Sequence, residues 1–292
     1  AEAFRLVEAA VRMKAPVLIH GETGSGKEVL ARHAHRTSGR RGAFVAINCG
    51  AIPEDLFEAE LFGHVGGAFT GARREGSVGL IASADGGTLL LDEVREMPMH
   101  LQAALLRFLD DQMVRPVGGT SARAVDVQVL TATNVDLERE VAERRFRADL
   151  LFRLNTVCIE LPPLRQRLDF ARAVRSVLQG LDTAARIDDE AVARLARHAW
   201  PGNFRELRSV LTRALLAGGA GGLRCADLEP RVACTQCVGT SAGGQRAGPT
   251  RVRAHRWQRQ PDLAQPRHLA HHGLQAPARS AALRPLTQRP AA

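Results

Sequence analysis

Gly21-Glu22-Thr23-Gly24-Ser25-Gly26-Lys27-Glu28 follows the apolar run Val17-Leu18-Ile19 and opens a helical pattern over residues 27–35. A short buried strand, a glycine-rich turn and a helix, in that order, form the setting in which a phosphate-binding loop works. The glycines let the backbone curl until its N–H groups point at phosphate oxygens. The helix N-terminus adds partial positive charge, and Lys27 reaches the β- and γ-phosphates. A Ser or Thr commonly follows that lysine to hold Mg2+, and here Glu28 stands in its place. The eight residues are expected to bind nucleotide.

Downstream, Gly86-Gly-Thr-Leu-Leu-Leu-Asp92-Glu93 is an apolar strand that ends in two acids. At the carboxyl edge of a parallel sheet both carboxylates lie beside the phosphate loop. Asp92 is expected to hold Mg2+ through water, and Glu93 to polarise the attacking water as general base. Further strand signals lie at 43–47, 125–132 and 157–161, with helical patterns between them, notably 99–111 and an opening helix over 2–14. Strands alternating with helices predict a parallel sheet covered on both faces. After Pro163 the strand signals stop, and 170–181, 188–198 and 203–216 read as a small all-helical unit.

The chain of 292 residues is 45% hydrophobic and 24% charged, an ordinary globular balance, with aromatics at only 4%. No apolar run approaches the roughly 18 residues a membrane span needs. No signal peptide opens the chain, and five scattered cysteines make no disulfide framework, so a cytoplasmic location without a membrane partner is expected. Ala1 already lies within a helical pattern, so the sequence is expected to be a fragment. The net charge of +9 is uneven. Residues 230–292 hold ten of the 40 basic side chains but one of the 31 acidic ones, so the remainder balances 30 against 30. The basicity belongs to the tail.

Between the two phosphate-site motifs lies Glu60-Leu-Phe-Gly-His-Val-Gly-Gly67-Ala68-Phe69-Thr70-Gly71-Ala72. A Phe-Thr pair between glycines is an apolar tip on a hinged stalk, costly to display unless something binds it. The segment closely resembles the GAFTGA loop of sigma-54-dependent activators, bacterial enhancer-binding proteins of the AAA+ class, and the resemblance runs from about Phe4 to Leu216. It implies that Gly67 to Ala72 grip sigma-54, with a reach set by nucleotide state. It implies that Asn48 is a switch that pairs with Glu93, that Thr133 and Asn134 sense the γ-phosphate, and that Arg205 in Trp200-Pro-Gly-Asn-Phe-Arg205 reaches nucleotide from the lid. It also implies that Arg147 and Arg153 enter a neighbouring subunit's site as arginine fingers, which makes a homo-oligomer, a hexameric ring, the expected assembly. One departure follows Arg167, where Leu168-Asp169-Phe170 shortens the family's helix start.

Members of that family usually end in a DNA-binding helix-turn-helix, and nothing in 230–292 reads as one. The segment is rich in Arg, Ala, Pro, Gln and His. Shifted forward by one nucleotide, codons permitted for 256–279 can encode a sequence similar to a Fis-type helix-turn-helix, so a frameshift between about 223 and 256 is expected. A genuine basic disordered arm is the alternative. On the frameshift reading Cys234 and Cys237 are accidents of the wrong frame. Enhancer DNA is a partner only if that motif is restored.

The expected organisation is an AAA+ α/β ATPase domain over 1–165, a helical lid over 166–228 and the tail over 229–292. The expected function is ATP-driven, Mg2+-dependent remodelling of sigma-54 RNA polymerase to open promoters. The alternative is a truncated remnant that binds ATP or sigma-54 without activating.

Overall fold

The computed structural model describes residues 2–69, 71, 73–218, 223, 224, 227 and 228. Thr70 and Ala72 of the loop lie outside the described residues, and so does the tail over 229–292 with its frameshift, disorder and cysteine readings.

Helix α1 (Glu2–Arg12) leads into β1 (Val17–His20), the phosphate loop and α2 (Lys27–Thr37). Then come β2 (Phe44–Asn48), α3 (Glu54–Phe62), a hairpin of β3 (Gly63–His64) and β4 (Ser77–Val78), α4 (Leu80–Ser83) and β5 (Thr88–Asp92). Helix α5 (Met99–Asp111) precedes a second hairpin, β6 (Met113–Val114) with β7 (Arg123–Ala124), and then β8 (Gln128–Thr133). Helices α6 (Leu137–Ala142) and α7 (Ala148–Leu154) separate it from β9 (Val157–Glu160). Three helices close the order: α8 (Phe170–Leu181), α9 (Asp189–Ala196) and α10 (Asn203–Gly218).

The main sheet has five parallel strands in the order β2-β5-β8-β1-β9. Its side chains alternate between two apolar layers, as the two-residue period of a strand requires. Leu18, Leu89, Leu91 and Val129 face α3, α5 and α7. Ile19, Leu90, Leu130 and Ala132 face α1 and α2. Because both faces are covered, the strands read as continuous apolar runs rather than alternating ones. The pairing aligns Asn48 with Asp92 and His20 with Thr133, so these strand ends share one edge.

Most boundaries shift by a residue or two from the sequence reading, and two of the shifts have a visible cause. The opening helix stops at Arg12 rather than 14, because Lys14 takes a left-handed conformation (φ 52°) ahead of Pro16. The strand expected over 125–132 is β8, shifted to 128–133. Ahead of it Arg123 and Ala124 pair with β6, and Asp126 is tied by its N–H to Asp85 and by its carboxylate to Lys14 and Arg40. Polar contacts at the sheet's lower edge thus delay entry into the strand.

The last three helices pack around a separate core of Leu164, Val174, Leu178, Leu195, Trp200, Leu207 and Leu211. Despite the shortened start, α8 begins at Phe170, with Asp169 paired to Arg167 (2.9 Å) and Leu168 fully exposed.

Candidate nucleotide site and exposed loop

The turn after β1 curls because Gly24 (φ 75°) and Gly26 (φ 102°) accept left-handed backbone that side chains resist. Its start is fixed to the neighbouring strand end, where the Gly21 N–H donates to the Thr133 carbonyl at 3.1 Å. Lys27 is buried, and its Nζ donates to the carbonyls of Gly21 (2.8 Å) and Glu22 (3.3 Å). Burial lowers its pKa, while the charges of Asp92 and Glu93 hold it up. Ser25 is 3% exposed, and its Oγ has no hydrogen-bond partner among the described residues. A buried hydroxyl without a partner is costly, and phosphate oxygens would satisfy it. Lysine, glycines and free hydroxyl fit a nucleotide's phosphates.

Across the loop, Asp92 accepts the Glu93 N–H at 3.0 Å. Glu93 itself holds a left-handed conformation (φ 53°), a strained geometry that persists where surrounding structure fixes it. The two carboxylates supply the hard anionic oxygen that a divalent cation takes. Among the described residues no cluster of three or more His, Cys, Asp or Glu side chains could enclose a metal. All-oxygen coordination by one carboxylate, phosphates and water is the mode Mg2+ favours, so Asp92 fits that ion.

Asn48 lies beside Asp92 in register and accepts the Gly50 N–H at 2.9 Å through its Oδ1. The Glu93 Oε2 stands over the same Gly50, so Asn48 and Glu93 are neighbours across a residue with no side chain. The Thr133 hydroxyl is turned back onto Val135, whereas Asn134 donates through Nδ2 to the Thr23 hydroxyl at 3.2 Å. Glu28 turns outward to Arg32 (2.7 Å), and Glu22 turns to Arg165 and Asn203. Arg205 leaves the start of α10 directly above Gly24, with its Cβ 3.2 Å from where a Gly24 side chain would begin. Arg147, at the N-cap of α7, and Arg153, within it, make contacts elsewhere. Arg147 pairs with Asp149 (2.7 Å), and Arg153 bonds the Leu109 carbonyl (2.9 Å) and Asp110 (3.3 Å).

The loop between β3 and β4 rises from paired Gly63–Val78 and His64–Ser77. Gly67 (φ 73°) and Gly71 (φ 92°) have open space around them, and Phe69 is 37% exposed. Residues ahead of β7 brace this loop: the Val65 N–H donates to Val117 (3.1 Å), and the Val117 N–H to Gly63 (2.8 Å). Gly118 lies so close to Ala68 and Val65 that a side chain there would press on both. This brace and the contact of Asn203 with Glu22 were missed in the sequence. The Pro116-Val-Gly118-Gly119 turn was the available signal for the first, and the bare Gly-Asn pair for the second.

Known proteins resemble the chain along most of its described length. The Sigma-54 interaction domain family model matches residues 1–160, and the AAA+ ATPase lid domain model matches 170–242. The acetoin catabolism regulatory protein of Cupriavidus necator is 50% identical over 223 residues, covering 74% of this chain and 33% of that protein. The sigma54-dependent transcriptional activator SfnR of Pseudomonas putida is 47% identical, covering 74% and 61%. The crystal structure of NtrX from Brucella abortus in complex with ATP superposes with a TM-score of 0.68 at 33% identity, covering 79% of this chain and 55% of that one. The chain therefore spans about a third to three fifths of the length of these relatives.

Proposed function

Because this chain belongs to the sigma-54 interaction domain family of AAA+ transcriptional regulators, we propose that it is an ATP-hydrolysing activator that remodels sigma-54 RNA polymerase to open promoters. One observation carries the reading. A buried lysine on a glycine-curled turn stands near two carboxylates at the edge of the main sheet, and a separate hairpin between β2 and β5 displays Phe69.

On this reading 1–165 form the ATPase domain and 166–228 the lid, with ATP held between them. The turn from Gly21 to Lys27 cradles the phosphates, and the Lys27 ammonium leaves the loop carbonyls for the β- and γ-oxygens. Asp92 would hold Mg2+ through water, and the ion would supply charge neutralisation. Glu93 takes a proton from water as its oxygen attacks the γ-phosphorus and the bond to the β-phosphate oxygen breaks. Asn48 orients Glu93, Asn134 reports on the γ-phosphate through Thr23, and Arg205 closes the site from the lid.

Neither Arg147 nor Arg153 is bonded to the phosphate loop of its own chain among the described contacts. That supports a role in trans, Arg147 and Arg153 stabilising charge in the next subunit of a ring. The loop from Gly67 to Ala72 then engages sigma-54 in a nucleotide-dependent way. Steady-state hydrolysis across protein concentration tests the assembly: turnover per subunit should rise with concentration, and a flat profile would refute the ring.

A further inference from the structure

Glu22, Asn203 and Arg165 come from three parts of the chain: the phosphate loop, the first turn of α10 and the segment joining sheet to helices. Arg165 donates both Nη groups to the Glu22 carboxylate, at 2.8 and 2.6 Å. The Asn203 Nδ2 donates to the same carboxylate at 3.0 Å and to the Thr23 carbonyl at 3.1 Å. Its Oδ1 accepts the Leu164 N–H at 2.7 Å, and the next residue, Phe204, donates its N–H to the Gly24 carbonyl at 3.0 Å. Asn203 is fully buried and left-handed (φ 51°). Such a conformation persists only where its surroundings over-determine it, and asparagine tolerates it better than most residues.

The far side of this turn is also fixed. Glu206 accepts the Gly202 N–H at 2.9 Å and pairs with His198 at 2.8 Å. A side chain on Gly24 would collide with the Gly202 carbonyl, so the turn rests on the loop without a gap. Arg205, two residues beyond Asn203, is thereby placed above Gly24.

We propose that Glu22, Arg165 and Asn203 form a latch that docks the lid on the phosphate loop, with Asn203 a positioning residue that sets where Arg205 stands over bound nucleotide. The proposal rests on the reading that nucleotide binds at Gly21 to Lys27. The carbonyls of Gly21 and Glu22 that hold Lys27 belong to the same short stretch that Asn203 grips through Glu22 and Thr23. A change at Lys27 is therefore passed to the lid through backbone only two residues long.

The test is titration of the full chain with a fluorescent ADP analogue, for the parent, Asn203→Asp, Arg205→Ala and the double variant. Asn203→Asp is nearly isosteric, keeps the acceptor for Leu164 and turns a donor into a carboxylate facing Glu22. Each single change should weaken binding about tenfold, and the double should bind no more weakly than the worse single, as for residues acting through one interaction. The Asn203→Asp deficit should also shrink between about pH 7.5 and about pH 5.5, as the crowded new carboxyl takes a proton and regains a donor. The Arg205→Ala deficit should not. If Asn203→Asp does not fold, Glu22→Gln at a half-exposed side chain gives the same comparison. Losses that multiply in the double variant, or parent-like binding by both latch variants, would overturn the latch while leaving the nucleotide site intact. A parent protein with no nucleotide affinity would overturn both.

Discussion

The ring of Phe69 packs edge-on against the imidazole of His64, with centroids 5.2 Å apart and planes at 66°. His64 is buried at the base of the hairpin, and its Nδ1 lies 3.1 Å from the Val65 carbonyl. Among the described residues this aromatic contact, worth about 0.5–1.5 kcal/mol, adds to the brace from Val117 and Gly118 in holding the loop down. His64→Ala should release it, and amide exchange over residues 65–69 should quicken by severalfold. Unchanged exchange would mean that the glycine backbone alone sets the loop's position.

Thr70→Ala tests the division of labour between site and loop. Hydrolysis should stay within about twofold of the parent, since the role proposed for this residue is in gripping sigma-54 and not in the chemistry, while binding to sigma-54 is lost. An equal fall in both would tie the loop to the chemistry instead.

Lys27 and Glu93 should separate binding from turnover. Lys27→Ala removes the ammonium proposed to bind the phosphates and should abolish nucleotide affinity. Glu93→Ala should leave affinity intact and cut turnover by about 10²–10⁴, the usual contribution of a general base. Equilibrium titration beside single-turnover hydrolysis distinguishes the two.

Gly24→Ala should be far more damaging than one methyl group suggests. It places a side chain at φ 75° and drives it into the Gly202 carbonyl. Left-handed strain alone costs about 1–3 kcal/mol, and undocking of α10 adds to it. Thermal unfolding should show a lowered midpoint together with weakened nucleotide binding. A parent-like midpoint would show that the lid does not need this contact.

The Glu22 carboxyl is pulled down from 4.5 to about 2, first by hydrogen bonds from Arg165 and then by that from Asn203, against an opposing effect of burial. A folded-state pKa below the unfolded one stabilises fully above about pH 4.5, and that contribution drains away as pH falls toward 2. Because Glu22 is 41% exposed, solvent and salt reduce the effect. Glu22→Gln should flatten this part of the acid-unfolding curve. Identical acid limbs for parent and variant would mean that the ion pair carries no folding free energy.

The sequence by itself determined the phosphate loop, the acidic strand end, the five strands of the sheet and the three helices after it. These are local patterns: a glycine turn between strand and helix, unbroken apolar runs, and helical spacing all act over a few residues. It also determined the loop around Phe69, because an apolar tip between glycines is legible without knowing its neighbours. Tertiary structure alone decided the strand order and the place of Gly50 between Asn48 and Glu93, a pair that the family resemblance implied but no spacing encodes. It alone turned Glu22 toward Arg165, 143 residues away, and braced Ala68 against Gly118. Such contacts depend on which distant backbone leaves room for a side chain, and nothing in the spacing of one segment encodes the shape of another.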